Sequence, residues 1–444
     1  MDTNELNSEY IDIIRKDQQK NLSEMNEFKA ELKINYSAVS LIPIDFLNVP
    51  KMISAEIDED FKRIAECLYS VLVKVISRFL ADEEFRKLFG FSELEEKMIL
   101  SECRYPSLLP VARVDLFYNE QTKEFKFCEF NTDGSSGMLE EMQVAEAIEK
   151  STAFKEFAQN KKIRRYDLFE GLIDGFLDVY NSFEDKTENP VFCITDFLES
   201  GVSNEFDEFR KRFEKRGYKT FIADIRELTF DGNNLYHKDV KIDAVYRRAV
   251  TGEMARKHDQ IPEFISAVLS GKICVIGHLR TQIAHVKKVF SVLHNELTMS
   301  FLNEEEREFV RSSIPYTVVL DSEGPDAGEI KKNKSKWVIK PSDLYASKNV
   351  TVGYDTENEA WEKAVDEGFS QGYLLQEYIE PFKTINCYYK KDDTYTEGWF
   401  GNIIGLYLYN GKYSGLFTRA GTKGVISAEN EGFSLGSMVV EEIN

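Results

Sequence analysis

Apolar residues recur at three- and four-residue spacing over two N-terminal stretches, about Glu5 to Ala30 and Ser54 to Phe89. In the second, Phe61, Ile64, Leu68, Leu72 and Ile76 fall on one helical face between charged neighbours, so a helical N-terminal region is predicted. Between Val111 and Asn131 the period changes to two. Two short β-rich runs there flank Asn119-Glu-Gln-Thr-Lys123, a segment with the composition of a hairpin loop. A helix is predicted from Met138 to Lys150.

Past a charged, loop-like stretch around Ser182 to Pro190, Val191–Ile194 reads as a buried strand, Glu205–Arg216 as a helix and Thr220–Ile225 as a second strand. That alternation is a βαβ unit. Lys241–Arg247 supplies a further strand, and Gln282–Leu293 reads as helical. Beyond Lys331 β runs dominate, at 336–340, 349–354, 373–378, 384–389, 398–409 and 415–419, with a helix near Glu357 to Glu367 between them. There is no internal repeat, low-complexity tract or long flexible linker, so the units are expected to pack closely.

A chain of 444 residues fits two or three packed units. With 42% hydrophobic and 30% charged residues it has the composition of a folded protein rather than a disordered or membrane-spanning one. The first residues are acidic where a secretory leader needs bases, and no stretch approaches the ~20 apolar residues that span a bilayer, so a cytoplasmic protein without a membrane partner is expected. The six cysteines stand singly with no Cys-x-x-Cys pair and are expected to be reduced and structural. A net charge of −21 repels phosphate backbones and argues against a nucleic-acid partner. It is compatible with a cationic substrate such as a polyamine, and equally with acids that serve solubility alone.

The chemistry concentrates in the period-two segment. In Val111-Ala-Arg-Val-Asp-Leu-Phe117 alternation sends Arg113 and Asp115 to one face and Ala112, Val114 and Leu116 to the other. In Phe125-Lys-Phe-Cys-Glu-Phe-Asn131, Glu129 and Asn131 share a face. Pairing with matching faces gathers two carboxylates, an amide and a guanidinium. Adjacent carboxylates repel unless a cation or metal compensates. Asp, Glu and Asn offer the hard oxygens that Mg²⁺ takes while water and phosphate complete its shell. Arg113 beside them can hold a carboxylate or a transferring phosphoryl group in its planar fork. A solvated sheet face with alternating Arg and acids gives the same pattern.

Next comes Thr132-Asp-Gly-Ser135-Ser136-Gly137, whose amides and following helix can receive an anion; a plain N-cap with turn glycines explains it as well. Lys336-Trp-Val-Ile-Lys340-Pro, then Ser342 to Asn349, then Val350-Thr-Val describe strand, loop and strand. Lys340 at the strand end can reach a phosphate and the loop can close over it, although an ordinary hairpin with exposed lysines has this form too. Tyr373-Leu-Leu-Gln-Glu-Tyr-Ile379-Glu-Pro381 is a buried strand that stops pairing at its proline and leaves main-chain groups for an adenine edge. Lys287, with Lys288 as its rival, and Arg419 are further candidate cations, each also readable as solvated.

In this order the pieces resemble the circularly permuted ATP-grasp ligases, and among them the synthetase domain of the glutathionylspermidine synthase family, from about Arg113 to Arg419. The resemblance implies an α/β (α+β) chain with an ATP-grasp fold. Its parts would be a helical N-terminal region at 1–105, a first ATP-grasp part with the metal and catalytic hairpin at 106–180, an inserted βαβ, Rossmann-like pre-ATP-grasp unit at 181–270, and a nucleotide-binding second ATP-grasp part at 271–444.

The resemblance also implies a catalytic Arg113, magnesium ligands Asp115, Glu129 and Asn131, phosphate-binding Lys287 and Lys340, an adenine hinge of Gln376, Glu377, Tyr378 and Ile379, and Arg419 at the phosphates. Ser135, Ser136, Arg247 and Arg248 stand as candidate substrate contacts; Tyr246 to Glu253 also looks like family sequence. The activity implied is ATP- and Mg²⁺-dependent joining of a small-molecule carboxylate, an amino acid or peptide, to an amine through an acyl phosphate. A small-molecule kinase on the same fold and a non-catalytic ATP-binding protein are the alternatives. The chain departs from the pattern in its glycine-free loop, Pro341 to Asn349, and leaves no room for the amidase domain of bifunctional relatives, so synthesis without the reverse hydrolysis is expected. None of these features sets the oligomeric state.

Overall fold

Ser54 starts the helix Ala55–Ala81 by accepting the Ile57 amide with its hydroxyl at 3.3 Å. The apolar stripe of that helix, including Phe61, Leu68, Leu72 and Ile76, packs in one core with Ala112, Val114 and Leu116. Each large apolar side chain buried this way contributes about 1.5–3 kcal/mol. Burying that set fixes the strand's orientation and turns Arg113 and Asp115 to the opposite face. The computed structural model describes residues 2–37, 40–322, 324–341, 350–427 and 430–442.

Several expected elements are broken, each at an identifiable polar residue. The N-terminal stretch is two helices, Thr3–Lys16 and Gln18–Glu31. Asp17 ends the first with its amide on Ile14 O at 3.2 Å and caps the second by accepting the Lys20 amide at 3.1 Å. The helix from Ser54 stops at Ala81 because Asp82 turns its carboxylate to the amides of Glu84 and Phe85. The expected strand Lys241–Arg247 is two strands in different sheets, Val240–Ile242 and Ala244–Arg247, parted at Asp243, which pairs its amide and carboxylate with Val191.

A six-stranded antiparallel sheet holds Phe433–Leu435, Lys412–Gly421, Tyr395–Tyr409, Val111–Tyr118 and Phe125–Asn131 side by side, with Lys383–Tyr389 added along the first part of the long strand. A smaller four-stranded antiparallel sheet is ordered Thr317–Val319, Leu374–Glu377, Trp337–Lys340, Thr351–Val352. A parallel sheet is ordered Cys274–Ile276, Ala244–Arg247, Val191–Asp196, Lys219–Asp224. The chain reverses its winding between Val191–Asp196 and Ala244–Arg247, so the crevice outside their carboxyl ends lies where open α/β sheets accept ligands. Among the described residues no helix is long and apolar enough to cross a membrane.

Candidate active site

The two hairpin strands pair as their alternation requires. Arg113 faces Asn131 and Asp115 faces Glu129, all on the sheet face away from the long helix. One side of Arg113 clamps Asp115, with Nε on Oδ1 at 2.7 Å and Nη2 on Oδ2 at 3.0 Å. Its Nη1 donates to Ser136 O, which also accepts from the Tyr407 hydroxyl at 2.8 Å. Arg419, two strands away, donates to Asp115 Oδ2 at 2.7 Å, and Asn131 Nδ2 donates to the same oxygen at 3.3 Å.

Arg419 reaches that far because Gly405 lies between them. Gly405 pairs with Asp115, and a Cβ there would come within 2.8 Å of both Arg113 Cδ and Asp115 Oδ1. The sequence reading missed Gly405, although a lone glycine inside a strand pattern is itself a sign of close approach.

The register of the hairpin slips by one residue at Cys128, a β-bulge that turns the Cys128 carbonyl out of the ladder. Lys340 Nζ takes that carbonyl at 3.2 Å. Lys340 therefore spans from the small sheet to the large one, across an open cleft between the two sheets. Glu129, Lys287, Lys340, Arg419 and the hinge from Gln376 to Ile379 all line it, with Phe117, Phe127, Val338, Val352 and Ile403 as apolar walls. Gly424, Val425 and Ile426 complete the rim, on a loop whose Gly424 amide is tied to Asp355 of the small-sheet side. The sequence reading did not anticipate that loop.

Lys287 enters the cleft because the predicted helix Gln282–Leu293 breaks into Gln282–His285 and Val289–Leu293 just where it stands. Its Nζ lies 3.4 Å from Glu129 Oε1. Lys288 instead places its ammonium near Gly90, where burial lowers its pKa and Asp321 partly offsets that. The hinge is fixed by Glu377 N on Tyr316 O at 2.9 Å and Tyr378 N on Lys336 O at 2.7 Å, after which Ile379 runs free of any ladder. The glycine-free loop lies, from Ser342 to Asn349, outside the described residues.

Burial alone would raise the Glu129 pKa, but Lys287, Arg419 and Lys340 outweigh it and bring it to about 2, below its ordinary 4.5. A depressed carboxylate adds stability that is whole above the unfolded value and is lost as pH falls through the folded one. In acid titrations monitored by circular dichroism, the stability advantage of the native chain over Glu129→Gln is expected to be constant above about pH 4.5 and to fade towards about pH 2. An advantage that did not change with acidity would remove the cation cluster as its cause.

The candidate substrate residues sit one layer away. The amides of Gly137 and Leu139, at the start of the helix Met138–Lys150, donate to Glu205 Oε2 at 3.1 and 3.2 Å. The expected anion site is thus filled from within the chain. Arg248 Nη2 donates to Glu205 Oε1 at 3.1 Å and Nη1 to Ser135 O. Arg247 is buried and gives four of its five N–H donors to Asp133, Thr281 Oγ1 and the carbonyls of Gly277 and Ala249. Ser135 Oγ, Arg248 Nε, Thr251 Oγ1 and Arg280 Nε are buried without a hydrogen-bond partner among the described residues. Such orphaned groups beside a crevice call for a ligand or water.

For a divalent ion the hairpin offers two carboxylates and an amide, and among the described residues no group of three His, Cys, Asp or Glu exists that could hold one. The set has the hard oxygens Mg²⁺ takes; Glu129 lines the cleft, while both oxygens of Asp115 are held by Arg113, Arg419 and Asn131 and would have to exchange a partner for the ion.

No protein-family model matches the chain, and no curated protein matches it in sequence. It shares the fold of a glutathione synthetase-like effector. The apo structure of that effector, from Globodera pallida, aligns over 99% of this chain and 98% of its own with a TM-score of 0.57 at 13% identity. At that identity the likeness speaks for the fold alone, and it bears out the mixed α/β, ATP-grasp-like architecture expected from the sequence. D-cycloserine synthetase (14% identity, 57% of this chain and 92% of its own) and D-alanyl-alanine synthetase A from Vibrio cholerae (10% identity, 58% and 90%) both align with a TM-score of 0.29, too low to carry an argument.

Proposed function

We propose that the chain is an ATP- and Mg²⁺-dependent ligase that joins a small-molecule carboxylate to an amine through an acyl phosphate. The observation that carries this is the cleft. Three cations, Lys287, Lys340 and Arg419, line it with two carboxylates, Glu129 and Glu377, and Arg419 ties it to the adjoining Asp115–Arg113 pair, in a chain whose net charge is −21. The local field is opposite in sign to the global one, which suits a polyphosphate. A base would lie between the apolar walls against the hinge, and Lys287, Lys340 and Arg419 would meet the phosphates.

Asp115, Glu129 and Asn131 would hold the magnesium, which when bound supplies charge neutralisation at the phosphates. Catalysis of phosphoryl transfer is mostly positioning and electrostatics. Arg113 lies between the cleft and the Ser136 loop and would stabilise both anionic transition states. A carboxylate oxygen attacks the γ-phosphorus and ADP departs; an amine nitrogen then attacks the acyl carbon and phosphate departs. Ser135, Ser136 and Arg248 border the crevice with the orphaned donors, where we place the organic substrates, while Arg247 braces the wall. The glutathionylspermidine synthase-like family, the four-part division of the chain and a cytoplasmic setting belong to the same proposal.

An ADP-release screen of amino acids and peptides against amines, with mass detection of the product and cationic amines tried first, tests it. ADP and phosphate released only with both partners present, together with an amide product, is expected. Phosphate retained on a hydroxyl product would make the chain a kinase, and ATP binding without turnover on any pair would leave it a binding protein.

A further inference from the structure

Gln376 stands on the strand that runs into the hinge, with only 5% of its surface exposed. Both ends of its amide are engaged. Its Oε1 accepts from Lys340 Nζ at 2.6 Å, and its Nε2 donates to Thr317 Oγ1 at 2.9 Å. The Thr317 hydroxyl spends its own proton on Pro315 O at 2.9 Å. This fixes which way the amide points, because an ammonium only donates and a hydroxyl whose proton is spent only accepts. The register makes the chain possible. Thr317 and Val338 pair with Gln376 from the two sides, and Lys340 follows Val338 by two residues on the same face.

We propose that Gln376, anchored by Thr317, is a positioning residue that aims the Lys340 ammonium across the cleft, rather than a side chain that reads the base. Lys340 is held by one acceptor from each sheet, Gln376 Oε1 and the Cys128 carbonyl freed by the bulge. An ammonium has three protons to donate, so the two fixed bonds leave the third directed at an incoming anion. A lysine stem has much rotamer freedom to lose, and pre-setting it removes part of that loss from the binding step. Burial and the neighbouring Lys287 disfavour the charge on Lys340, and Cys128 and Glu129 partly offset them. The assignment rests on the nucleotide reading of the cleft.

Calorimetric titration of MgATP and of adenosine into the full chain tests it. Gln376→Met is expected to weaken MgATP about tenfold, the scale of one hydrogen bond to a charged group, and to leave adenosine affinity unchanged. Thr317→Val should shift MgATP in the same direction by less, and Thr317→Ser should restore it. In a Lys340→Met background Gln376→Met should have no further effect. Equal losses for MgATP and adenosine, or additive losses in the double variant, would overturn the positioning role. So would a Gln376→Met chain that binds MgATP as the native chain does, with the nucleotide reading left standing. A native chain that binds neither ligand would overturn the nucleotide reading and this role with it.

Discussion

Arg113→Ala is expected to lower kcat/KM of the ligase reaction by about 10²-fold or more, the scale on which a preorganised donor to a developing anion acts, while MgATP still binds. The separation follows from where the guanidinium lies. It does not line the cleft that holds the other cations; it joins Asp115 to the Ser136 carbonyl, on the side where the organic substrates are proposed to bind. Asp115, which is fully buried, keeps Arg419 but loses its bidentate partner, so some loss of thermal stability accompanies the variant. Arg113→Lys should not rescue turnover, since a point charge cannot replace two parallel N–H donors. Initial rates of ADP release and a melting curve on the same preparation separate the two effects. A folded Arg113→Ala chain with native turnover would end the catalytic assignment.

Much of this site was legible because its logic is local. Alternation along Val111–Phe117 and Phe125–Asn131 is a period-two pattern that needs no knowledge of the rest of the fold, and the structure faces Arg113 with Asn131 and Asp115 with Glu129 accordingly. Pro381 signalled that ladder pairing must end near it, and the strand ends at Glu377. Lys287 is different. Nothing in Gln282–Leu293 announces the break that swings it to Glu129, and resemblance rather than periodicity singled it out.

What stayed hidden depends on contacts distant in sequence. Glu205 lies in an ordinary amphipathic helix, and only the packing of that helix against the start of Met138–Lys150 turns its carboxylate onto two amides 66 and 68 residues away. The slip at Cys128 is invisible in composition, yet it supplies the carbonyl that meets Lys340, 212 residues on. The breaks at Asp17 and Asp82 were missed for a local reason: apolar spacing continues through them, while a carboxylate that can cap the next turn competes with the helix ladder.

Asp133→Asn is expected to destabilise the chain by about 3–5 kcal/mol, the range for breaking a buried ion pair from one side. Both side chains of the Asp133–Arg247 pair are wholly inaccessible. Asp133 also takes the Thr251 amide at 2.7 Å and the Thr281 hydroxyl at 3.0 Å, so it ties the loop after the Arg113–Asn131 hairpin to the ends of two parallel strands. The two partners should not be equivalent. Asp133→Asn strands a guanidinium that cannot give up its proton, whereas Arg247→Met strands a carboxyl that can neutralise itself by binding one. The deficit of Arg247→Met should therefore begin to shrink at a higher pH, as the stranded carboxyl takes up a proton, whereas that of Asp133→Asn should hold down to the ordinary carboxyl value of 3.8 and fade only below it, where the native Asp133 is itself protonated. Asp133→Leu with Arg247→Met should be less unstable at neutral pH than Asp133→Asn alone. Denaturation of the three variants at neutral and acidic pH checks this. If Arg247→Met kept native stability and lost only affinity for an organic substrate, Arg247 would be a substrate contact after all, and the wall of the crevice would have to be held by something else.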